Sequence, residues 1–187
     1  MIFAAIVACE VGFWVVLVAG LVARYVLRRR RLSTVLLAAV PLIDLVLLAV
    51  SVADLRAGAP PRVEHGLAAV YLGFSVVFGP AMVRWADVRF AHRFAGGPPP
   101  APKPASGTPA RLRMEWREFG RACLAAAVSA ALLLGAVALV GERADTTALL
   151  SWLWRLALVL AVWLVGWPVV ETVRAGTGMV SGTRPRR

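Results

Sequence analysis

Five long apolar stretches, separated by short polar or basic connections, organise this chain. They cover residues 2–23 (IFAAIVACEVGFWVVLVAGLVA), about 33–54, 66–83, 122–140 and 147–170. Each approaches the roughly 20 residues needed to cross hydrocarbon. Backbone amides in lipid find no water, so each stretch must satisfy its hydrogen bonds internally and is predicted to be a helix. The expected helices are about 2–26, 33–55, 65–84, 120–141 and 147–170, with Pro41 and Asp44 inside the second and Pro80 kinking or ending the third. The pattern predicts an all-α membrane protein, a bundle of five transmembrane helices forming one domain over residues 1–175.

The connections decide the orientation. Arg24 and Arg28 to Arg31 follow the first stretch, eight basic residues lie between the third and fourth, and four lie in the 176–187 region and at Arg174. That places seventeen on one side against Arg56, Arg62 and Arg143 on the other, an asymmetry predicting N-out/C-in topology. No basic residue precedes the first stretch, so it is expected to be an anchor and not a cleaved signal peptide. Residues 97–110 (GPPPAPKPASGTPA) predict a flexible, Pro-rich cytoplasmic linker, and 176–187 a basic cytoplasmic tail. After the linker, Leu112, Trp116 and Phe119 recur at helical spacing among arginines. A short amphipathic helix at the inner headgroup level is expected there, anchoring in lipid or docking a partner protein. Arg84, Trp85, Arg89 and Arg93 join the same basic, aromatic inner surface.

Composition supports a lipid solvent: 60% of the 187 residues are hydrophobic and 17% charged, with a mean hydropathy of +0.76. The net charge of +11 would suggest nucleic acid in a soluble chain. Here the basic residues flank apolar runs, so anionic headgroups are the expected partner and nucleic acid is not. Only Lys103 among the 21 basic residues is lysine, which with abundant Ala, Val, Leu, Gly and Arg reads as a high-GC bacterial coding bias. A multi-pass place in the bacterial cytoplasmic membrane follows. Cys9 and Cys123 lack CxxC spacing and read as packing residues.

Three ionisable residues interrupt the apolar runs: Glu10, Asp44 and Arg155. Counted from its helix's outer end, each lies roughly 12–15 Å deep. A charge there is costly, so Arg155 is expected to pair with Glu10, Asp44 or both, with Tyr71, Ser75 and Ser129 near the same level. Interhelix glue and a proton or ion role both remain open for this cluster. Asp54, Glu64 and His65 form an outer-mouth group, read as a solvated histidine and its neighbours in preference to a metal site, because no familiar ligand spacing is present. Small residues at Ala127, Ala131 and Gly135, and at Ala8 and Gly12, suggest close helix contacts. No Walker loop, HExxH, GxSxG or dinucleotide fingerprint occurs, and no metal or cofactor is expected.

Several stretches carry a resemblance: EVGFW and GLVARY in the first helix, PLID in the second, HGLAAVYLGFSVVFG in the third and RWADVRFAHRFAGGPPP after it. Together they resemble a family of small bacterial integral membrane proteins labelled YmcC-like, over most of the chain up to about Phe119. The resemblance implies no catalytic residue. It implies that Glu10, Asp44, His65 and the segment from Arg84 to Arg93 come first for functional weight. The resulting expectation is a non-enzymatic scaffold or accessory envelope component, with a membrane-protein partner or a homo-oligomer. The alternative is a small proton-coupled transporter or channel using the Glu10, Asp44 and Arg155 level, with a membrane enzyme third.

Overall fold

The computed structural model describes the backbone of residues 2–60, 62–94, 96–141 and 145–181, and their side chains except those of 2–7, 9, 10, 13 and 178–181. Every regular element among the described residues is helical: α1 (Ile2–Tyr25), α2 (Arg30–Arg56), α3 (Glu64–Phe94), α4 (Pro109–Val140), α5 (Thr147–Leu164) and α6 (Val170–Ser181). A wide π-helical turn, Val165–Val169, joins α5 to α6. It holds the buried Pro168, whose missing N–H would leave an unmatched carbonyl in a regular helix.

Four helical segments are long and apolar enough to cross a membrane: Arg30–Arg56, Glu64–Phe94, Pro109–Val140 and Thr147–Thr177. Apolar side chains cover the outside of the bundle as well as filling its core. Large apolar groups such as Trp14, Leu42, Met82 and Trp154 are more than 60% exposed, while the buried set contains Ser33, Asp44, Ser51, His65 and Ser129. Small and polar residues between helices, with Val, Leu and Trp outside, suit a lipid surround.

Local chemistry explains where helices begin and end. Arg28, at φ +56°, makes the tight turn between α1 and α2. The α2–α3 turn uses Gly58 at φ +90°, a conformation costly for other residues. Thr108 opens α4 by accepting a hydrogen bond from the Arg111 amide at 3.2 Å, with Pro109 in the first turn where its lack of an N–H costs nothing. Asp145 opens α5 by accepting from the Thr147 amide at 2.7 Å; the hydroxyl and amide of Thr147 also hold its carboxyl below the ordinary carboxylate range.

In the packing, α1 lies against α2, α2 against α3, and α4 against α2, α3, α5 and α6. The core between α2, α3, α4 and α5 contains Leu55, Ala68, Ala69, Leu133, Val140 and Leu149. At the α3–α4 contact, a Cβ on Gly73 would lie 2.1 Å from Ser129 Oγ and 2.9 Å from the Ala125 carbonyl, so only glycine permits this approach. The α4 residues making it are Ala122, Ala125, Ala126 and Ser129, all buried. The expected stripe of Ala127, Ala131 and Gly135 falls on the exposed side of α4, because helical rotation separates the two small-residue rows.

Three boundaries depart from expectation. Pro80 does not end α3, which continues to Phe94. The segment holding Leu112, Trp116 and Phe119 is not a separate amphipathic helix, since Thr108 caps it and it runs unbroken into α4. The tail region remains helical to Ser181; 182–187 lie outside the described residues.

Candidate functional site

The bundle has two ends, a turn end carrying the short α2–α3 and α4–α5 connections and a linker end carrying the α1–α2 turn, residues 96–108 and α6. Polar chemistry occurs at both and once between them.

At the turn end, His65 is 2% exposed and bridges two helices. Its Nδ1 lies 3.0 Å from the Arg62 amide and 3.2 Å from the Arg62 carbonyl, and its Nε2 lies 3.1 Å from Asp54 Oδ2. The expected solvated histidine is thus buried, because the sharp turn before α3 folds its own backbone over the ring. Glu64 points elsewhere, 3.7 Å from Arg62 at the surface. With both ring nitrogens engaged, His65 serves as a staple between α2 and α3. Next to it, the Trp152 indole donates to the Val63 carbonyl at 2.8 Å and fills the space that a Cβ on Gly66 would occupy.

Midway along α2, Asp44 is 2% exposed and accepts a hydrogen bond from Ser75 at 3.4 Å. No ion pair joins it to Arg155. The guanidinium of Arg155 lies instead over the Trp152 ring on its own helix, 4.9 Å from the centroid. Helix α3 acts as a ruler for the difference. The Trp152 contact at Gly66 and the Trp163 stacking on Phe78 set the α5 register, placing Arg155 near the level of Ala69. The Asp54–His65 and Asp44–Ser75 contacts set the α2 register, placing Asp44 at the level of Ser75. Six residues of helical rise separate them axially by about 9 Å. Tyr71 is 45% exposed, and Ser129 hydrogen-bonds the Val70 carbonyl at 3.4 Å. The side chain of Glu10 lies outside the described residues.

The linker end is the richest in polar contacts. Arg24, at the end of α1, makes a bidentate ion pair with Asp87 of α3, and the Tyr25 hydroxyl donates to the same carboxylate at 3.1 Å. The Tyr25 ring stacks on Phe90 at 4.3 Å. Residues of GLVARY and RWADVRF, two of the stretches that carry the family resemblance, therefore meet here. Arg89 covers Trp85 at 3.8 Å, and Arg84 and Arg93 are exposed.

The linker is tied down at its far end. Glu171 on α6 accepts from the Ser106 hydroxyl at 2.6 Å and the Gly107 amide at 3.0 Å. The Trp116 indole donates to Thr172 at 3.3 Å and packs edge-on against Phe119 at 6.1 Å, so this part of the amphipathic stretch meets α6 of the same chain.

Between α3, α4 and α5 at this end opens a groove of about 1150 Å³. Phe78, Leu158, Val162 and Trp163 form its apolar wall, and Arg84, Lys103, Arg111 and Arg121 supply cations. On α4, residues 111, 115, 118 and 121 fall on one helical face, where Arg111 pairs with Glu115 at 2.8 Å and Arg121 with Glu118 at 2.7 Å. Glu115 is 7% exposed, and the Nε of Arg111 is buried with no hydrogen-bond partner. Sequence reasoning chose the neighbouring face, residues 112, 116 and 119, because aromatic and apolar residues give a stronger periodic signal than paired charges. The i, i+3 and i, i+4 spacing of Arg111, Glu115, Glu118 and Arg121 was the available clue. Asp87 was missed as well, since a lone acid among surface arginines is a weak signal until the fold supplies its partner.

A chain helical in every regular element of its described residues, with four segments of membrane-crossing length and a broadly apolar outer surface, is an integral membrane protein of the helix-bundle class. No family model and no solved structure matches it. It is similar to the "Uncharacterized membrane protein YmcC" of Bacillus subtilis (strain 168), with 38% identity over 149 residues, covering 77% of each chain. The chain belongs to the YmcC family of membrane proteins.

Proposed function

We propose that this protein is a non-enzymatic scaffold or accessory component of the bacterial cytoplasmic membrane, crossing it with all five long helices, N-out and C-in, and working through its linker end. The seventeen-to-three division of basic residues supports that orientation, with the linker and α6 on the cytoplasmic side. Helix α1, at 24 residues, is long enough for the fifth crossing. Residues 1–175 then form the bundle and 97–110 its cytoplasmic linker. The partners on this reading are anionic headgroups and a membrane protein or a second copy of this chain, not nucleic acid.

One observation carries the choice. Asp44 and Arg155 sit at different levels with different neighbours, whereas charged and aromatic groups gather around an open groove at the linker end. A proton relay needs groups within hydrogen-bond reach of one another. The buried Asp44–Ser75 pair still favours a transporter as the second reading, because an ionisable group inside a membrane marks a pathway in many transporters.

Two measurements test the proposal. Cysteines placed singly at Ala101 and Ala59, in a chain with Cys9 and Cys123 replaced by serine, should react with an impermeant reagent in opposite ways. Ala59→Cys should be labelled in intact cells, and Ala101→Cys only after lysis. Proteoliposomes of the wild-type protein should hold an imposed pH gradient as long as protein-free vesicles. A leak abolished by Asp44→Asn would sink the scaffold reading and establish transport.

A further inference from the structure

We infer that the groove between α3, α4 and α5 holds one anionic phospholipid, its phosphate at the linker end and an acyl chain along the apolar wall. The inference deepens the linker-end reading and rests on it.

The groove has the two-part character such a molecule needs. Its wall of Phe78, Leu158, Val162 and Trp163 continues directly into the exposed apolar surface of α5, where Val162 is 60% exposed. Its other end changes to charge over about two helical turns. Antiparallel packing of α3 and α4, with Gly73 beside Ser129, brings Arg121 close to the level of Phe78 and the Glu115 to Glu118 stretch close to that of Arg84. The charges thus lie at the border between apolar span and connection, the level of headgroup phosphates.

The charge count inside the groove is unequal. Four cations face two carboxylates, and each carboxylate already has an arginine on its own helix. Arg84 and Lys103 make no ion pair among the described residues, whereas Arg111 and Arg121 are engaged by Glu115 and Glu118. Two unpaired cations around one end of an apolar groove complement a phosphodiester, which offers negative charge and acceptor oxygens together. The excess positive charge selects a net-negative headgroup over a zwitterionic one. Lys103 comes from the linker, whose far end Glu171 holds in place through Ser106 and Gly107. Lipid occupancy therefore connects the linker to α3 and α4, giving the linker end a means of responding to the composition of the inner leaflet.

Native mass spectrometry of the full chain, delipidated in detergent and titrated with phosphatidylglycerol or phosphatidylcholine, tests this. The wild-type protein should retain one phosphatidylglycerol per chain in preference to phosphatidylcholine. The combined variant Arg84→Gln and Lys103→Gln should lower that retention at least about tenfold, as two basic contacts near a headgroup imply. The combined variant Arg29→Gln and Arg31→Gln, equal in charge loss but on the exposed α1–α2 turn and the start of α2, outside the groove, should change it little. Leu158→Trp, which narrows the apolar wall, should weaken both lipids alike if it folds. Equal retention of the two lipids, or equal loss in the two charge variants, would overturn the proposal in favour of unspecific attraction. Competition by millimolar inorganic phosphate without lipid retention would replace it with a free-phosphate site, and dimers in place of lipid adducts would replace it with a second copy. Labelling of Ala101→Cys in intact cells would break the linker-end reading itself, whereas cytoplasmic labelling without lipid preference would overturn the lipid site alone.

Discussion

The two ends of the bundle use polar residues for opposite purposes. At the turn end His65, Asp54 and the Trp152 indole each have their partners, and glycines let helices approach until no space remains. At the linker end the helices diverge around a groove in which cations outnumber carboxylates and one arginine nitrogen is unmet. Closed packing with matched polar groups gives rigidity, and open packing with excess charge gives a place to bind. The comparison implies that variants at the turn end and the adjoining α3–α4 contact should act mainly on stability, and groove variants mainly on what the protein retains.

The largest effect should come from Gly73→Val. Its Cβ would lie within 2.1 Å of Ser129 Oγ and 2.9 Å of a backbone carbonyl that cannot move away without shifting α4. Overpacking of this kind should cost about 3 kcal/mol or more, seen as loss of the monodisperse species in detergent. Gly135→Val, on the exposed side of α4 with open space around it, should behave as wild type. Equal tolerance of both variants would show that the α3–α4 contact is not the rigid element of the fold.

Next is the staple at the turn end. His65→Ala removes a buried ring that meets both Asp54 and the Arg62 amide. Leaving those groups unsatisfied should cost about 1–3 kcal/mol, measured as a lowered midpoint of thermal unfolding, and His65→Gln should recover part of it. An unchanged midpoint would mean that water replaces the ring, so that the turn end is open after all.

Most of the architecture was readable from apolar length alone, since hydrocarbon thickness and backbone hydrogen bonding leave few alternatives to a helix. The pairing of Asp44 with Ser75 was also within reach, because both lie at similar depth on sequential helices. Arg155 was misplaced for a definite reason: counting residues from a helix start assumes that all helices begin at one level, whereas Trp152 seating on Gly66 sets the real register of α5. The continuous α4 was hidden because its apolar run begins only near residue 120 and the arginines before it read as a separate surface helix, although capping by Thr108 and strong helix formers on both sides carry the helix through. The Glu171 contact with Ser106 and Gly107 spans more than sixty positions of sequence and leaves no local trace.

The Arg24–Asp87 pair offers a smaller effect at the linker end. Its side chains are 15% and 35% exposed, so screening limits its contribution. Arg24→Gln and Asp87→Asn should each cost about 1 kcal/mol. The double variant should cost clearly less than the sum of the two, with the coupling reduced at high salt. Strict additivity in a double-mutant cycle would remove this pair as the link between α1 and α3, leaving the Tyr25–Phe90 stack to hold it.

The smallest change is expected at the residue that a transporter reading would rank first. Asp44→Asn keeps the shape of the side chain and an oxygen able to accept from Ser75, at a buried carboxyl midway along α2. If Asp44 is interhelix glue, the amide should substitute with a stability change below about 0.5 kcal/mol and no change in vesicle pH gradients, because a passive hydrogen bond needs no exchangeable charge. Asp44→Leu, which leaves the Ser75 hydroxyl without this acceptor, should cost more than Asp44→Asn. Should the order reverse, with the isosteric amide impairing growth or flux while leucine and asparagine fold equally well, ionisation of Asp44 would be its essential property. The quiet middle of the bundle would then be its working part, and the contrast between closed and open ends a matter of support.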